Sequence, residues 1–188
     1  MRCKKYSPML NNTSMSATKK TAITKPLRVL AIDPGYERLG IAVAERVTEG
    51  TMRGKDILLF SECFQTSAKA AFPVRLRALG EELARVIEEF DPTIMAIETL
   101  FFTNNQKTAM NVAEARGVIV YEAARHGLPI AEYGPGQIKN ATTGYGKSDK
   151  RQVISMIPKL IKITKDIEHD DEYDAIACAI TCLASYRQ

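Results

Sequence analysis

Four carboxylates of this 188-residue chain occupy positions where a charge is hard to keep. Asp33 closes the apolar run Val29-Leu30-Ala31-Ile32, and Pro34-Gly35 follows at once. Proline cannot donate to a sheet ladder and glycine permits a sharp turn, so Asp33 is expected at the rim of a sheet. Glu98 closes a second apolar run, Thr93 to Ile97, in the same way. Asp171 and Asp174 stand three apart, so on a helix they share a face. They head a stripe of small residues, Ala175, Cys178, Ala179 and Cys182, that lets a helix approach a sheet closely. Singly, most of these acids have plain explanations. Asp33 can cap its own Asp-Pro-Gly turn. Asp170, Asp171 and Glu172 suit the N-terminal end of a helix dipole, worth ~0.3–1 kcal/mol each. Neither explanation covers Asp174 at the head of an apolar stripe. Four carboxylates within ~5 Å of each other raise one another's pKa unless cations hold them. An all-oxygen ligand set favours Mg²⁺ or Mn²⁺ over zinc. Two such ions ~4 Å apart suit phosphodiester hydrolysis, one activating a water and the other steadying the leaving oxygen.

Composition narrows the alternatives. With 45% hydrophobic and 26% charged residues the chain has the balance of one globular domain. No apolar run approaches the ~20 residues that span a bilayer. The four cysteines, Cys3, Cys63, Cys178 and Cys182, form no C-x-x-C pair, which points to a reducing compartment. Two histidines, His126 and His169, are too few for a His-rich metal site. The net charge of +4 is unevenly spread. Residues 139–165 carry seven basic and one acidic side chain, and residues 166–188 one basic and six acidic. Such a pairing suits a polyanion held beside bound cations, or two solvated faces of opposite sign.

The elements that must position the acids follow from periodicity. Residues 1–27 carry six basic and no acidic side chains with little apolar pattern, and read as a flexible basic arm. The arm has no apolar core of a secretory signal, and its single Arg argues against an organellar transit peptide. Residues 28–188 form the folded domain. A strand ends at Asp33, a second spans residues 39–45 and a third 55–64, paired antiparallel through short links. A helix over residues 72–90 buries Leu76, Leu79, Leu83, Val86, Ile87 and Phe90, with Arg75, Arg77, Glu81, Glu82, Glu88 and Glu89 toward water. The strand ending at Glu98 completes a βαβ unit, so it lies parallel to the first and both acids leave the same edge. A long helix then runs to about His126, with Ala109, Ala113 and Gly117 forming a narrow face and Met110, Val118 and Tyr121 nearby. That face packs on the sheet or on a second copy of itself. A fifth strand over 128–133, a short helix carrying Gln137 and Lys139, a helix from Lys150 to about Ile157, a connector over 158–165 and a last helix from about Asp170 to Tyr186 complete the chain. Gly144-Tyr145-Gly146-Lys147 lacks the spacing of a phosphate-binding P-loop.

With these residues placed, the chain resembles the RuvC-type Holliday junction resolvases, the crossover junction endodeoxyribonucleases of the ribonuclease-H-like superfamily. The matching stretches are IDPG with Asp33, AIETLF with Glu98, EARG around Arg116, YGPGQIK with Lys139, TGYGKSDK with Lys150, and DEYDAIACAIT with Asp171 and Asp174. They recur in family order from about Arg28 to the end. The resemblance implies an α/β, ribonuclease-H-like fold: a five-stranded mixed sheet with helices on both faces. It implies a homodimer that binds four-way DNA junctions and nicks two opposing strands symmetrically in recombination and repair, with two Mg²⁺ per active site, Mn²⁺ substituting. Asp33, Glu98, Asp171 and Asp174 match the metal-binding catalytic acids. Phe101 matches an aromatic that stacks on an unpaired base, although Phe101 or Phe102 could equally serve the core. Lys139 and Lys150 match basic residues near the scissile phosphate, and Lys147 and Arg151 are further candidates for DNA backbone contacts. The family works in the cytoplasm, on the nucleoid, with a branch-migration motor of RuvA and RuvB type and no membrane. The basic arm is extra to the family pattern. Asp170 leaves an ambiguity, since Asp170 and Asp174 also share a helix face; the family register selects Asp171.

Three other readings share some of these features. A nuclease of the same fold acting on RNA or nicked duplex would keep the acids but needs neither Phe101 nor a dimer. An ATPase of the actin or sugar-kinase type shares the strand-end Asp but needs two such domains. A silent DNA-binding module has no use for four acids.

Overall fold

The computed structural model describes residues 25–100 and 106–186. Most of the arm expected over residues 1–27, and the two phenylalanines at 101 and 102, lie outside the described residues.

The strands are β1 (Arg28–Asp33), β2 (Arg38–Arg46), β3 (Asp56–Gln65), β4 (Ile94–Glu98), β5 (Ile130–Tyr133) and β6 (Ile161–Lys162). The helices are α1 (Phe72–Phe90), α2 (Gln106–Arg125), α3 (Pro135–Thr143), α4 (Lys150–Leu160) and α5 (Asp170–Ser185). One mixed sheet runs in the order β5-β4-β1-β2-β3-β6. As expected, β1, β2 and β3 pair antiparallel and β4 lies parallel to β1. The register Ile32↔Ile97 sets Asp33 and Glu98 side by side at one edge.

The sheet has six strands where five are read from the sequence. Ile161 and Lys162 pair parallel with Asp56 and Ile57, and two residues are too short a stretch to show alternation. The helix α4 also runs three residues beyond Ile157, with Pro158 inside it. The missing amide of Pro158 falls in the last turn, where it removes one bond without breaking a long ladder.

Helices cover both faces of the sheet. One face packs α1 and α2 through Leu79, Leu83, Val86, Ala115, Ile119 and Ala123. The other packs α5 and the shorter helices through Ala175, Ile176, Ala179, Leu183, Ile138 and Ile157. Two side chains expected in water are held by the protein. Arg75 is buried, giving Nε to Thr66 Oγ1 at 2.8 Å and Nη2 to the Tyr36 carbonyl at 3.2 Å, and its guanidinium lies 4.8 Å from the Tyr36 ring centre. It clamps the turn that follows Asp33. Glu82 is mostly covered and pairs with Arg85 at 2.5 Å. On α2 the buried face is Ala115, Ile119, Glu122 and Ala123, while Met110, Ala113, Gly117 and Tyr121 are exposed. The small-residue face therefore does not pack on the sheet.

Two glycines set how closely the parts of this edge approach. A Cβ on Gly35 would overlap the Arg38 carbonyl, so the turn between β1 and β2 closes only with glycine. A Cβ on Gly40, the β2 partner of Asp33, would overlap the Asp171 carbonyl and lie 3.1 Å from Asp33 Cβ. Gly40 thus lets the first turn of α5 sit directly on β2. Beside it Glu172 is buried against β3, accepting from Ser61 Oγ at 2.7 Å and Lys165 Nζ at 2.8 Å. Burial alone would raise its pKa, but these two donors outweigh burial and hold it below the usual glutamate range.

Gly40→Ala is expected to lower stability by about 1–3 kcal/mol, the cost of overpacking a rigid contact. Gly136→Ala, where nothing stands within 4 Å of the added methyl, should leave stability unchanged or slightly higher. Urea unfolding of the two variants decides; equal midpoints would show that α5 does not need the contact at Gly40.

Candidate active site

The site begins with Asp33, the last residue of β1, which the paired strands β2 and β4 hold on either side. Its carboxyl is pushed up to about 7, first by burial and then by the neighbouring charges of Asp174, Glu98 and Asp171, with Lys150 pulling the other way. Three other acids therefore act on Asp33, one from β4 and two from α5. Glu98 is also raised, by burial first and by Asp174 next, while Lys139 and Lys150 lower it. The four acids read from the sequence come together at one sheet edge.

Their outer members are engaged by basic side chains. Lys150 Nζ lies 2.9 Å from Asp174 Oδ2 and 3.3 Å from Asp170 Oδ2. Arg38 Nη2 lies 2.6 Å from Asp171 Oδ2, and Cys63 Sγ lies 3.6 Å from the same oxygen. These pairs are about half-exposed, and such pairs are individually weak and exchangeable. Among the described residues no three His, Cys, Asp or Glu side chains close on one point as a ready metal cage. The acids share one field, and Asp171 and Asp174 are each paired with a basic side chain.

Asp170 and Asp171 separate by surroundings. Asp170 is 67% exposed and faces Lys150, whereas Asp171 is 22% exposed and contributes to the field at Asp33. Beside the acids lies a cavity of about 190 Å³ lined by Glu98, Pro135, Ile138, Lys139, Lys150, Val153, Asp174 and Ala177. Lys139 reaches it from α3 and Lys150 from the first residue of α4, where Asp149 caps the helix by accepting from Gln152 N at 2.9 Å. Lys147 and Arg151 are exposed and do not line this cavity. Phe101 lies outside the described residues.

Arg38, Cys63 and His169 adjoin the site without belonging to any motif. Their one signal is topological. The tight turn after Asp33 returns Arg38 to the same edge, and Gly40 pairs with Cys63 across β2 and β3. His169 precedes α5 and places Nδ1 3.4 Å from Arg38 Nη2.

The donor set of four carboxylate oxygen groups, one carrying a proton near neutrality, fits hard divalent cations and not zinc or a redox centre. The flanking lysines and arginine fit an anionic substrate next to those acids.

The family model for crossover junction endodeoxyribonuclease RuvC matches residues 29–182. A crossover junction endodeoxyribonuclease RuvC from Thermosipho melanesiensis is 39% identical over 165 residues, covering 84% of this chain and 97% of that protein. One from Alkaliphilus oremlandii is 43% identical over 152 residues, covering 81% and 90%. The structure of Thermus thermophilus RuvC in complex with a Holliday junction substrate superposes with a TM-score of 0.74 at 30% identity, covering 82% of this chain and 92% of that one. The architecture is thus ribonuclease-H-like, and the chain belongs to the RuvC family of crossover junction endodeoxyribonucleases, metal-dependent nucleases that resolve Holliday junctions in recombination and repair.

Proposed function

We propose that the chain nicks two opposing strands of a four-way DNA junction symmetrically, with two Mg²⁺ ions, or Mn²⁺, held at Asp33, Glu98, Asp171 and Asp174. The observation that carries this reading is the convergence of those four acids from β1, β4 and α5 on one edge, beside Lys139 and Lys150. The chemistry such cations supply when bound is activation of a water and neutralisation of charge at the leaving oxygen. The protein's own part is positional. Asp33 gives up its proton as cations bind. Lys139 and Lys150 hold the scissile-strand phosphate over the acids, and charged donors placed where negative charge grows are worth most in a site of low dielectric. Lys147 and Arg151 contact the DNA backbone further out and contribute affinity without selecting sequence. Phe101 stacks on a base freed at the crossover, an interaction worth ~1–3 kcal/mol for any base.

The homodimer this activity requires is read onto α2. Met110, Ala113, Gly117 and Tyr121 form one exposed stripe at helical spacing, with Met110 64% and Tyr121 65% exposed. A second copy, laid along the same helix, covers it. The enzyme acts in the cytoplasm on the nucleoid, with a branch-migration motor of RuvA and RuvB type. Among the described residues no helix is long and apolar enough to cross a membrane. The nuclease domain is read as residues 28–188, with the basic residues 1–27 ahead of it in sequence.

Cleavage of a synthetic mobile four-way junction, with duplex and RNA–DNA hybrid controls, tests the substrate and the cations together. Paired nicks on the junction in Mg²⁺ or Mn²⁺, lost in EDTA, are expected; cleavage of the hybrid alone would move the substrate to RNA. Asp33→Asn should cut the junction at least ~100-fold more slowly, because it removes a ligand charge without changing shape, while binding the junction as before. Full activity of that variant would remove Asp33 from the site.

The protonation of Asp33 adds a pH test. Its pKa rises from 3.8 unfolded to about 7 folded, so the folded state holds an extra proton between those values. Stability of the cation-free protein therefore falls as pH rises from about 4 to about 7 and is level above. Mg²⁺ should restore stability above pH 7, and Asp33→Asn should flatten the slope. Thermal melts in EDTA and in Mg²⁺ at a series of pH values measure both. For the dimer, Tyr121→Asp should sediment as a monomer, and an unchanged dimer would place the interface elsewhere.

A further inference from the structure

Arg38 is outside every motif that marks the acids, yet it has the most direct hold on one of them. It is the first residue of β2, and the antiparallel turn returns it to the edge where β1 ends. Nη2 lies 2.6 Å from Asp171 Oδ2 and 3.4 Å from His169 Nδ1. Lys150 holds Asp174 in a matching way from α4, at 2.9 Å. The acid cluster is therefore bracketed by two cations of the protein itself. Lys150 also meets Asp170 and lines the cavity. Arg38 is as exposed as Lys150, at 47% against 46%, but it stands on a strand, and its guanidinium has five N–H donors in a planar fork. That fork matches two oxygens of a phosphate as well as it matches a carboxylate. Exposed and exchangeable, it can leave Asp171 when a doubly charged ion competes for the carboxylate. Arg38 reaches the acids from β2, whereas Lys139 and Lys150 reach them from α3 and α4.

We propose that Arg38 is a phosphate-binding catalytic residue, which neutralises Asp171 in the free enzyme and turns its guanidinium onto the scissile-strand phosphate when a cation takes Asp171 over. The proposal rests on Asp171 being a cation-binding acid. Arg38 moves no proton; it donates hydrogen bonds to phosphoryl oxygens whose negative charge grows as water adds and the leaving oxygen departs.

Arg38→Ala, Arg38→Gln and Arg38→Lys in the full chain test this, with melts to verify that each folds. Three quantities are measured: single-turnover cleavage of a mobile junction at saturating Mg²⁺, junction affinity in Ca²⁺, and Mn²⁺ affinity of the DNA-free protein by calorimetry. Arg38→Ala should cleave about 100- to 1,000-fold more slowly, the range for losing one donor to the transition state. Its junction affinity should stay within about threefold, since one phosphate contact among many is lost. Its Mn²⁺ affinity should equal or exceed that of the parent, because a competing cation has gone. Arg38→Lys should recover part of the rate and Arg38→Gln none. A parental rate for Arg38→Ala overturns the proposal. So does a defect that excess Mg²⁺ erases, that weaker junction binding accounts for in full, or that comes with weaker Mn²⁺ binding, since Arg38 would then only shape Asp171 or only hold DNA. Asp171→Asn isolates the underlying reading: undiminished Mn²⁺ binding there would remove Asp171 from the cation site whatever Arg38 does.

Discussion

Mutual repulsion among four carboxylates at one sheet edge is the constraint to which the surrounding structure responds. Parallel pairing of β1 and β4 puts Asp33 and Glu98 side by side, and α5 delivers Asp171 and Asp174 onto them. A field of that kind has few outlets. A proton is retained on Asp33 up to about pH 7. The protein also draws charge of opposite sign toward the outer acids, Arg38 to Asp171 and Lys150 to Asp174. Both responses are reversible at modest cost. A proton is lost near neutrality, and half-exposed ion pairs exchange readily. Neither response closes this edge against a competing cation.

Holding α5 against this repulsion falls to packing. The helix is buried through Ala175, Ile176, Cys178, Ala179 and Leu183, small enough in part to sit low on the sheet. Gly40 removes the one methyl that would lift its first turn off β2. Glu172, between Asp171 and Tyr173, turns the opposite way and is tied to Ser61 and Lys165. One helical turn thus carries two acids that face the site and one that anchors the turn. On the other face Arg75 grips the Tyr36 carbonyl, so the loop that fixes Asp33 is braced from α1. The residues that stabilise the fold here are those that set the distances among the acids.

What could be read from the sequence was whatever had a period or a fixed order. The Asp33, Glu98 and Asp171/Asp174 positions each end or begin a regular element, so strand and helix patterns sufficed to bring them to one edge. Residue order could not show side-chain partners across elements. Arg75 falls on the polar side of its helix by periodicity and is buried because its guanidinium finds a carbonyl, a hydroxyl and an aromatic ring. Glu172 looks like a dipole residue and is an anchor. The sixth strand is two residues long and carries no alternation. The small-residue face of α2 was readable as a face, but which of two surfaces it meets depends on helix rotation, which Ala115, Ile119 and Ala123 decide by packing inward.

The placement of the basic side chains separates two demands on a nuclease. Affinity for DNA grows with each phosphate neutralised, wherever it lies, whereas rate depends only on charge near the reacting phosphate. Lys147 and Arg151 are exposed beyond the cavity, in the loop and first turn that lead from α3 into α4. Lys139 and Lys150 are close enough to lower the pKa of Glu98. On the function proposed above, one short segment, residues 139–151, presents both kinds of cation, and the Asp149 cap starts α4 just before Lys150. A basic residue moved from the inner pair to the outer would keep the net charge and most of the affinity yet leave the acids facing a phosphate with less to oppose its growing charge. The cap matters for the same reason: it fixes where α4 begins, and so whether Lys150 faces Asp174 or the solvent.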